Sequence, residues 1–196
     1  SEELACHIRG VDSHFEIYGQ DPKDFPPVPD LEGTPDVEVQ GPVLASLIER
    51  TLFAVAKENT RYAISGVLWE MRGKRLSLVA TDGRRLAEAN GVVTRSAGEP
   101  QRMIVPAKTM QVVQRVLPHV PEDALVGVRF SSNQVVVRAG LFVVSSPLVE
   151  GLFPKYEDVI PSDSDKKITL ATQEFHSAVR RAALLASDQS KGIRLA

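Results

Sequence analysis

Apolar and polar residues alternate in short runs along most of the chain, the pattern of half-buried strands. Residues 4–9 and 14–19 read as two strands around an Asp12-Ser13 turn. A proline-rich connector, 21–35, follows and is incompatible with helix or central strand. Residues 37–40 read as a strand. Pro42 then opens a helix that runs to about Lys57, with Leu44, Leu47, Ile48, Leu52 and Val55 on one face. Three strands come next, at 63–71, 75–81 and 85–94, then a loop at 96–100. The order then restarts: strand 102–105, a helix from Pro106 to Leu117, a break at 118–123, and strands 124–130, 134–139 and 142–149. Residues 37–149 thus read as two copies of strand–helix–three strands. A third helix is expected at 173–187, and a last strand at 192–196.

A longer period overlies this one. Phe25-Pro26 recurs as Phe153-Pro154, 128 residues on. Val37, Leu44, Ser46, Ile48 and Arg50 correspond to Ile168, Phe175, Ser177, Val179 and Arg181 at a spacing of 131. A period near 130 is that of a whole domain. The chain begins without Met inside one expected strand and ends inside another, so it reads as part of a longer protein. Residues 1–35 are the tail of one unit plus a linker, 36–161 a complete unit, and 162–196 the start of a third.

Composition narrows the classes. The chain has 196 residues, 43% hydrophobic and 24% charged, with a net charge of −2, so any affinity for nucleic acid needs its positive charge concentrated on one face. No apolar run is long enough for a membrane helix, and no membrane partner is expected. Cys6 has no second cysteine to pair with, which is compatible with a cytoplasmic location. His7, His14, His119 and His176 have no metal-ligand spacing with one another or with Cys6. No phosphate-loop or nucleophile-elbow motif occurs. The expectation is a non-catalytic protein without cofactor or metal. The basic run Arg72-Gly73-Lys74-Arg75 reads as a hairpin tip; a phosphate-processing enzyme built on it is the weakest alternative.

The charge is not evenly spread. The three expected helices (43–57, 106–117 and 173–187) carry six cations against two carboxylates, a net +4, which leaves −6 for the remainder. Lys108, Gln111 and Arg115 share one helical face. Taken alone, such a face reads as a solvated exterior.

The most informative stretch is Ala80-Thr81-Asp82-Gly83-Arg84-Arg85-Leu86-Ala87. Asp-Gly between two extended runs signals a hairpin tip, with a two-residue type I′ turn as the local expectation. Residues 59–89, with Asn59-Thr60-Arg61-Tyr62-Ala63-Ile64 and the Thr-Asp-Gly-x-Arg-Leu-Ala motif, resemble the middle domain of the bacterial DNA polymerase III beta subunit, the sliding clamp family. The resemblance extends over nearly the whole chain. It implies an α+β clamp fold in which six such domains make a ring, with antiparallel sheets outside and helices on the inner face.

The resemblance also implies two surfaces. One faces duplex DNA, without sequence specificity, through Arg50, Lys57, Asn59, Arg61, Tyr62, Lys108 and Arg115. The other is a pocket for a short Gln/Leu/Phe motif of the DNA polymerase III alpha subunit, the clamp loader and other partners. Its residues here are Ile64, Thr81, Gly83, Arg84, Arg85, Leu86, Pro154 and Val159. Ile64, Leu86, Pro154 and Val159 offer an apolar floor, Gly83 permits close backbone approach, and the arginines frame the rim. Read without the resemblance, Ile64, Leu86 and Val159 are core residues and Phe153-Pro154 a turn. The function implied is a processivity factor that forms a head-to-tail homodimer in the full-length protein, a ring this fragment is not expected to close. The alternative is a peptide-binding scaffold with no DNA role.

Overall fold

The computed structural model describes residues 4–25, 27, 29, 31, 33–57, 63–161, 166–186 and 193. They divide into two compact units, 1–154 and 155–196. The first opens with an antiparallel hairpin, β1 (Ala5–Arg9) and β2 (His14–Tyr18), in which Phe15, Ile17 and Tyr18 are exposed. The connector follows, and its distal end is docked. Asp36 Oδ2 accepts the Phe130 amide at 2.8 Å, and Arg129 Nη2 donates to the Thr34 carbonyl at 2.7 Å.

The two expected halves are both present. The first is β3 (Val37–Gln40), α1 (Gly41–Thr51), β4 (Gly66–Arg72), β5 (Arg75–Thr81) and β6 (Leu86–Val92). A two-residue strand, β7 (Arg95–Ser96), follows. The second half is β8 (Gln101–Pro106), α2 (Ala107–Val116), β9 (Leu125–Phe130), β10 (Gln134–Ala139) and β11 (Phe142–Pro147). The halves do not form separate sheets. The four-stranded sheet runs β6-β5-β4-β8 and the five-stranded sheet β11-β10-β9-β3-β7. Each half therefore gives its first strand to the other's sheet. All the pairings are antiparallel.

This exchange builds one core. Val37 and Val39 of β3, Leu44, Leu47 and Ile48 of α1, Trp69 of β4 and Met110 and Val113 of α2 belong to a single buried cluster. Trp69 is 1% exposed, donates Nε1–H to Met110 Sδ at 3.4 Å, and meets Phe130 edge-on at 5.8 Å, a packed aromatic with its polar end satisfied. α1 lies against β5 and β6, α2 against β4, β8 and β11, and the two helices touch. Thr109 Oγ1 donates to Ser146 Oγ at 2.7 Å, a polar tie between α2 and β11. Two glycines permit these approaches by lacking a side chain. A Cβ at Gly91 would lie 2.9 Å from Val43 Cγ1, and one at Gly66 only 2.5 Å from the Val105 carbonyl oxygen.

Both helices stop earlier than their spacing implies. α1 ends at Thr51, whose hydroxyl donates to the Leu47 carbonyl at 2.8 Å, and a 3-10 turn, Leu52–Ala54, carries the chain to extended Val55. Back-bonding of this kind competes with the helical ladder. α2 ends at Val116 because Pro118 has no amide hydrogen to continue it; a 3-10 turn, Leu117–His119, follows.

The second unit holds a 3-10 turn, Tyr156–Val159, and α3 (Thr172–Ala183), four residues shorter at its end than expected. α3 begins 131 residues after α1, and β11 begins 128 after β2, the two spacings seen in the sequence. The expected strand at 192–196 lies outside the described residues except for Ile193, which is not in a strand.

Candidate functional site

Two surfaces of the first unit carry the expected residues. The first is the exposed side of the helices. A proline stands at the start of each helix: Pro42 is the second residue of α1, and Pro106 is the N-cap of α2. Neither first turn holds a carboxylate, and the last turns hold Arg50 and Arg115, where a cation complements the helix dipole. A groove of about 960 Å³ runs between the helices. Lys57, Lys108, Gln111 and Arg115 line it, with Glu49 as the one opposing charge along its lining. Among the described residues, no carboxylate comes within 4.0 Å of Lys57, Lys108 or Arg115. The groove therefore presents three unneutralised cations with flanking amide side chains, which suits a polyanion held without base reading. Arg50 is exposed but lies on the other flank of α1, lining a groove with Gly91 and Val92 of β6. Asn59, Arg61 and Tyr62 lie outside the described residues.

The second surface is the β5–β6 connection. The register pairs Thr81 with Leu86, so the loop is the four residues Asp82 to Arg85 rather than the two-residue type I′ turn. Side chains organise it. Asp82 Oδ1 accepts the amides of Arg84 and Arg85, each at 3.0 Å. Thr81 Oγ1 donates to the Arg85 carbonyl at 2.8 Å and accepts the Gly83 amide at 3.1 Å. Gly83 takes φ +84°, a conformation that a side chain disfavours. The amide of Arg84, then that of Arg85, holds the Asp82 carboxyl below the usual aspartate range, with the Arg85 guanidinium adding to the effect.

Arg85 does more than frame a rim. Its Nε bonds Asp82 Oδ2 at 3.1 Å, its Nη2 donates to the Phe53 carbonyl at 2.8 Å, and its guanidinium stands 5.5 Å from the Phe53 ring centroid. The loop is thereby latched to the turn that ends α1. Phe53 also lines the basic groove, so one residue borders both surfaces. Phe53 was missed in the sequence because neither its carbonyl nor its ring carries a motif. The Asp82-to-Arg85 spacing of three was the available signal for the latch.

The remaining pocket residues are placed as follows. Ile64 is buried, Leu86 and Pro154 are half-buried, and Gly83 and Arg84 are exposed. Gly151, near Pro154, approaches Ala63 so closely that an added Cβ would lie 3.2 Å from the alanine methyl. The chain at Gly151 therefore passes beside Ala63, the neighbour of Ile64. Val159 is in the second unit and is 68% exposed.

Two antiparallel sheets sharing exchanged strands, with a paired-helix face, define a domain of the clamp class. The family model of the DNA polymerase III beta subunit, central domain, matches residues 38–155, and the chain belongs to that family. It is 33% identical over 194 residues to the beta sliding clamp of Pseudomonas aeruginosa, covering 99% of this chain and 52% of that protein. The crystal structure of the DNA polymerase sliding clamp from Bacillus subtilis superposes with a TM-score of 0.84 at 28% identity, covering 96% of this chain and 49% of that one. A Pseudomonas aeruginosa sliding clamp solved bound to griselimycin superposes at 0.81 with 32% identity, covering 97% and 51%. The chain spans about half the length of the curated relatives it matches. The fold is the α+β clamp fold, built of antiparallel sheets and helices.

Proposed function

We propose that this chain is part of a DNA polymerase processivity factor, a non-catalytic cytoplasmic clamp whose ring encircles duplex DNA and tethers polymerase. The observation that carries the reading is the α1–α2 groove, with Lys57, Lys108 and Arg115 unneutralised on the face opposite the sheets of a clamp-family domain. On this reading, residues 1–35 finish a first clamp domain, 36–161 make the central one, and 162–196 begin a third. Two full-length chains close the ring head to tail. Weak contacts to phosphate suit sliding, since encirclement supplies retention and a base-specific grip would stall movement.

The loop of Thr81, Gly83, Arg84, Arg85 and Leu86, with Ile64 and Pro154, is the part of a peptide pocket that the first unit supplies. It accepts a short Gln/Leu/Phe motif of the polymerase alpha subunit and the clamp loader. The apolar members anchor the peptide, and the ordered loop presents backbone groups at its edge.

Duplex binding measured against salt tests the groove. Three phosphate contacts give a log–log slope of about −2.7, which is a roughly 40-fold loss of affinity between about 50 and about 200 mM salt. Charge reversal at Lys57, Lys108 and Arg115 should reduce the magnitude of the slope by about 2.7 and leave the fold intact, since all three are exposed. A slope unchanged by the triple reversal rejects the DNA-facing assignment of the groove, and a parent chain that does not bind duplex at low salt favours the scaffold without a DNA role.

A further inference from the structure

We propose that the tip of the β4–β5 hairpin is a second site for the phosphodiester backbone of duplex nucleic acid, independent of the helical groove. The register sets Arg72 directly opposite Arg75. Like charges facing across two strands oppose sheet pairing. Lys74 adds a third positive charge in the turn, and Arg102 of β8 stands on the neighbouring strand, opposite Glu70. Four cations crowd one end of the sheet, in a chain whose net charge is −2. A local electrostatic conflict of this kind marks a functional surface.

Among the described residues, two carboxylates lie within 4.0 Å of these cations. Glu70, almost fully buried, takes Arg102 Nε at 2.9 Å and Arg72 at 4.0 Å; Glu88 stands 3.8 Å from Arg75. Four cations against two carboxylates leave a local excess of +2, and no described carboxylate reaches Lys74 within 4.0 Å. Arg75 is held in place rather than splayed. Arg75 Nε donates to Asn90 Oδ1 at 3.1 Å, Ser77 Oγ donates to the same oxygen, and Asn90 Nδ2 donates to Glu88 Oε1 at 3.2 Å. The arginine side chains nevertheless stay open to solvent, 71% for Arg72 and 62% for Arg75.

The lining decides the ligand class. Arg72, Lys74, Arg75, Asn90, Gly91 and Val92 border a shallow cavity of about 430 Å³. None is aromatic, so a platform for stacking single-stranded bases is missing. Val92 is the only large apolar side chain among them, too little to anchor a linear peptide. A row of evenly spaced phosphates needs neither feature, and exposed cations hold it through counterion release.

The test is anisotropy of a labelled 20-base-pair duplex titrated with the 196-residue chain across a salt series. Lys74→Ser and Arg72→Gln are compared in the parent and in a Lys57→Ser/Lys108→Ser/Arg115→Ser background. The salt slope should shrink by about one for each cation lost, in both backgrounds. Melting curves check the fold, and Lys74→Ser, at an exposed turn residue, carries the test alone should Arg72→Gln loosen the hairpin. Slopes unchanged in both backgrounds overturn the proposal. So does displacement of the duplex by polyglutamate at equal charge concentration, which would assign the tip to an acidic polypeptide. A tip effect that persists when the groove variants change nothing supports the tip and counts against the groove alone.

Discussion

Thr81→Val isolates one hydroxyl that spans the β5–β6 loop. The replacement keeps shape and strand preference, since both side chains are β-branched. It removes the bond from Thr81 Oγ1 to the Arg85 carbonyl (2.8 Å) and the bond from the Gly83 amide to that oxygen (3.1 Å). Thr81 itself is 9% exposed, while Gly83 and Arg85 are open to water. Each bond is worth about 0.5–1.5 kcal/mol net, and water can replace the lost partner only on the loop side. The variant should therefore lose about 1–2 kcal/mol. That corresponds to a fall in melting temperature of roughly 2–8 °C for a domain of this size. The equilibrium constant for ordering the loop should fall by about 5- to 30-fold, because about 1.4 kcal/mol is tenfold. Urea unfolding reads the stability, hydrogen exchange of the Gly83 amide reads the loop, and binding of a labelled Gln-Leu-x-Leu-Phe peptide to the chain extended through a complete third domain reads the pocket. Leu86→Asp serves as the variant expected to abolish binding outright. If Thr81→Val matches the parent in stability and the Gly83 amide exchanges no faster, the hydroxyl does not order the loop and the reasoning fails.

Two further outcomes follow from the same coordinates. The Asp82 carboxyl sits below the usual aspartate range, first because of the Arg84 amide; its ordering of the loop is thus fully present above the ordinary aspartate pKa and lost as pH falls through the depressed value. Peptide affinity should hold across neutral pH and drop only in acid, and a carbon-detected titration placing Asp82 at or above the ordinary value would contradict this. Gly66→Ala would put a Cβ 2.5 Å from the Val105 carbonyl oxygen and 2.8 Å from Ile104 Cγ2, so β4 and β8 must separate at a cost of about 1–3 kcal/mol or more; a urea midpoint equal to the parent's would show that the strand pair yields more easily than its packing implies.

The elements of the fold were legible because their signals are local. Pro42 and Pro106 mark helix starts, Leu44, Leu47 and Ile48 keep helical spacing, and alternation marks nearly every strand. The halves repeat in the chain as they do in space. Helix ends were less legible. The Thr51 hydroxyl turns back on its own helix, a choice that depends on burial at the α1 end as well as on residue type.

At the candidate sites, the Thr-Asp-Gly-x-Arg-Leu-Ala motif located the loop, and residue types located the basic helices. The loop's length and its latch were not readable. Asp-Gly favours a two-residue turn until Thr81 and Asp82 satisfy the amides and carbonyl of a longer one. The Arg85 bond to the Phe53 carbonyl joins positions 32 apart, and no local preference encodes it. Charge alone did not separate Arg50 from Lys57, Lys108 and Arg115 either; the crossing of α1 over β6 puts Arg50 on the other flank.

By itself, then, the sequence determined where strands and helices form, that they repeat, and which helices are basic, because propensity, proline placement and periodicity act over a few residues. Tertiary structure alone decided that β3 and β8 change places between the halves. A strand's pattern states that one face must be buried and leaves open which neighbour takes its hydrogen bonds. That choice is made when both halves close on the single core around Trp69 and Met110.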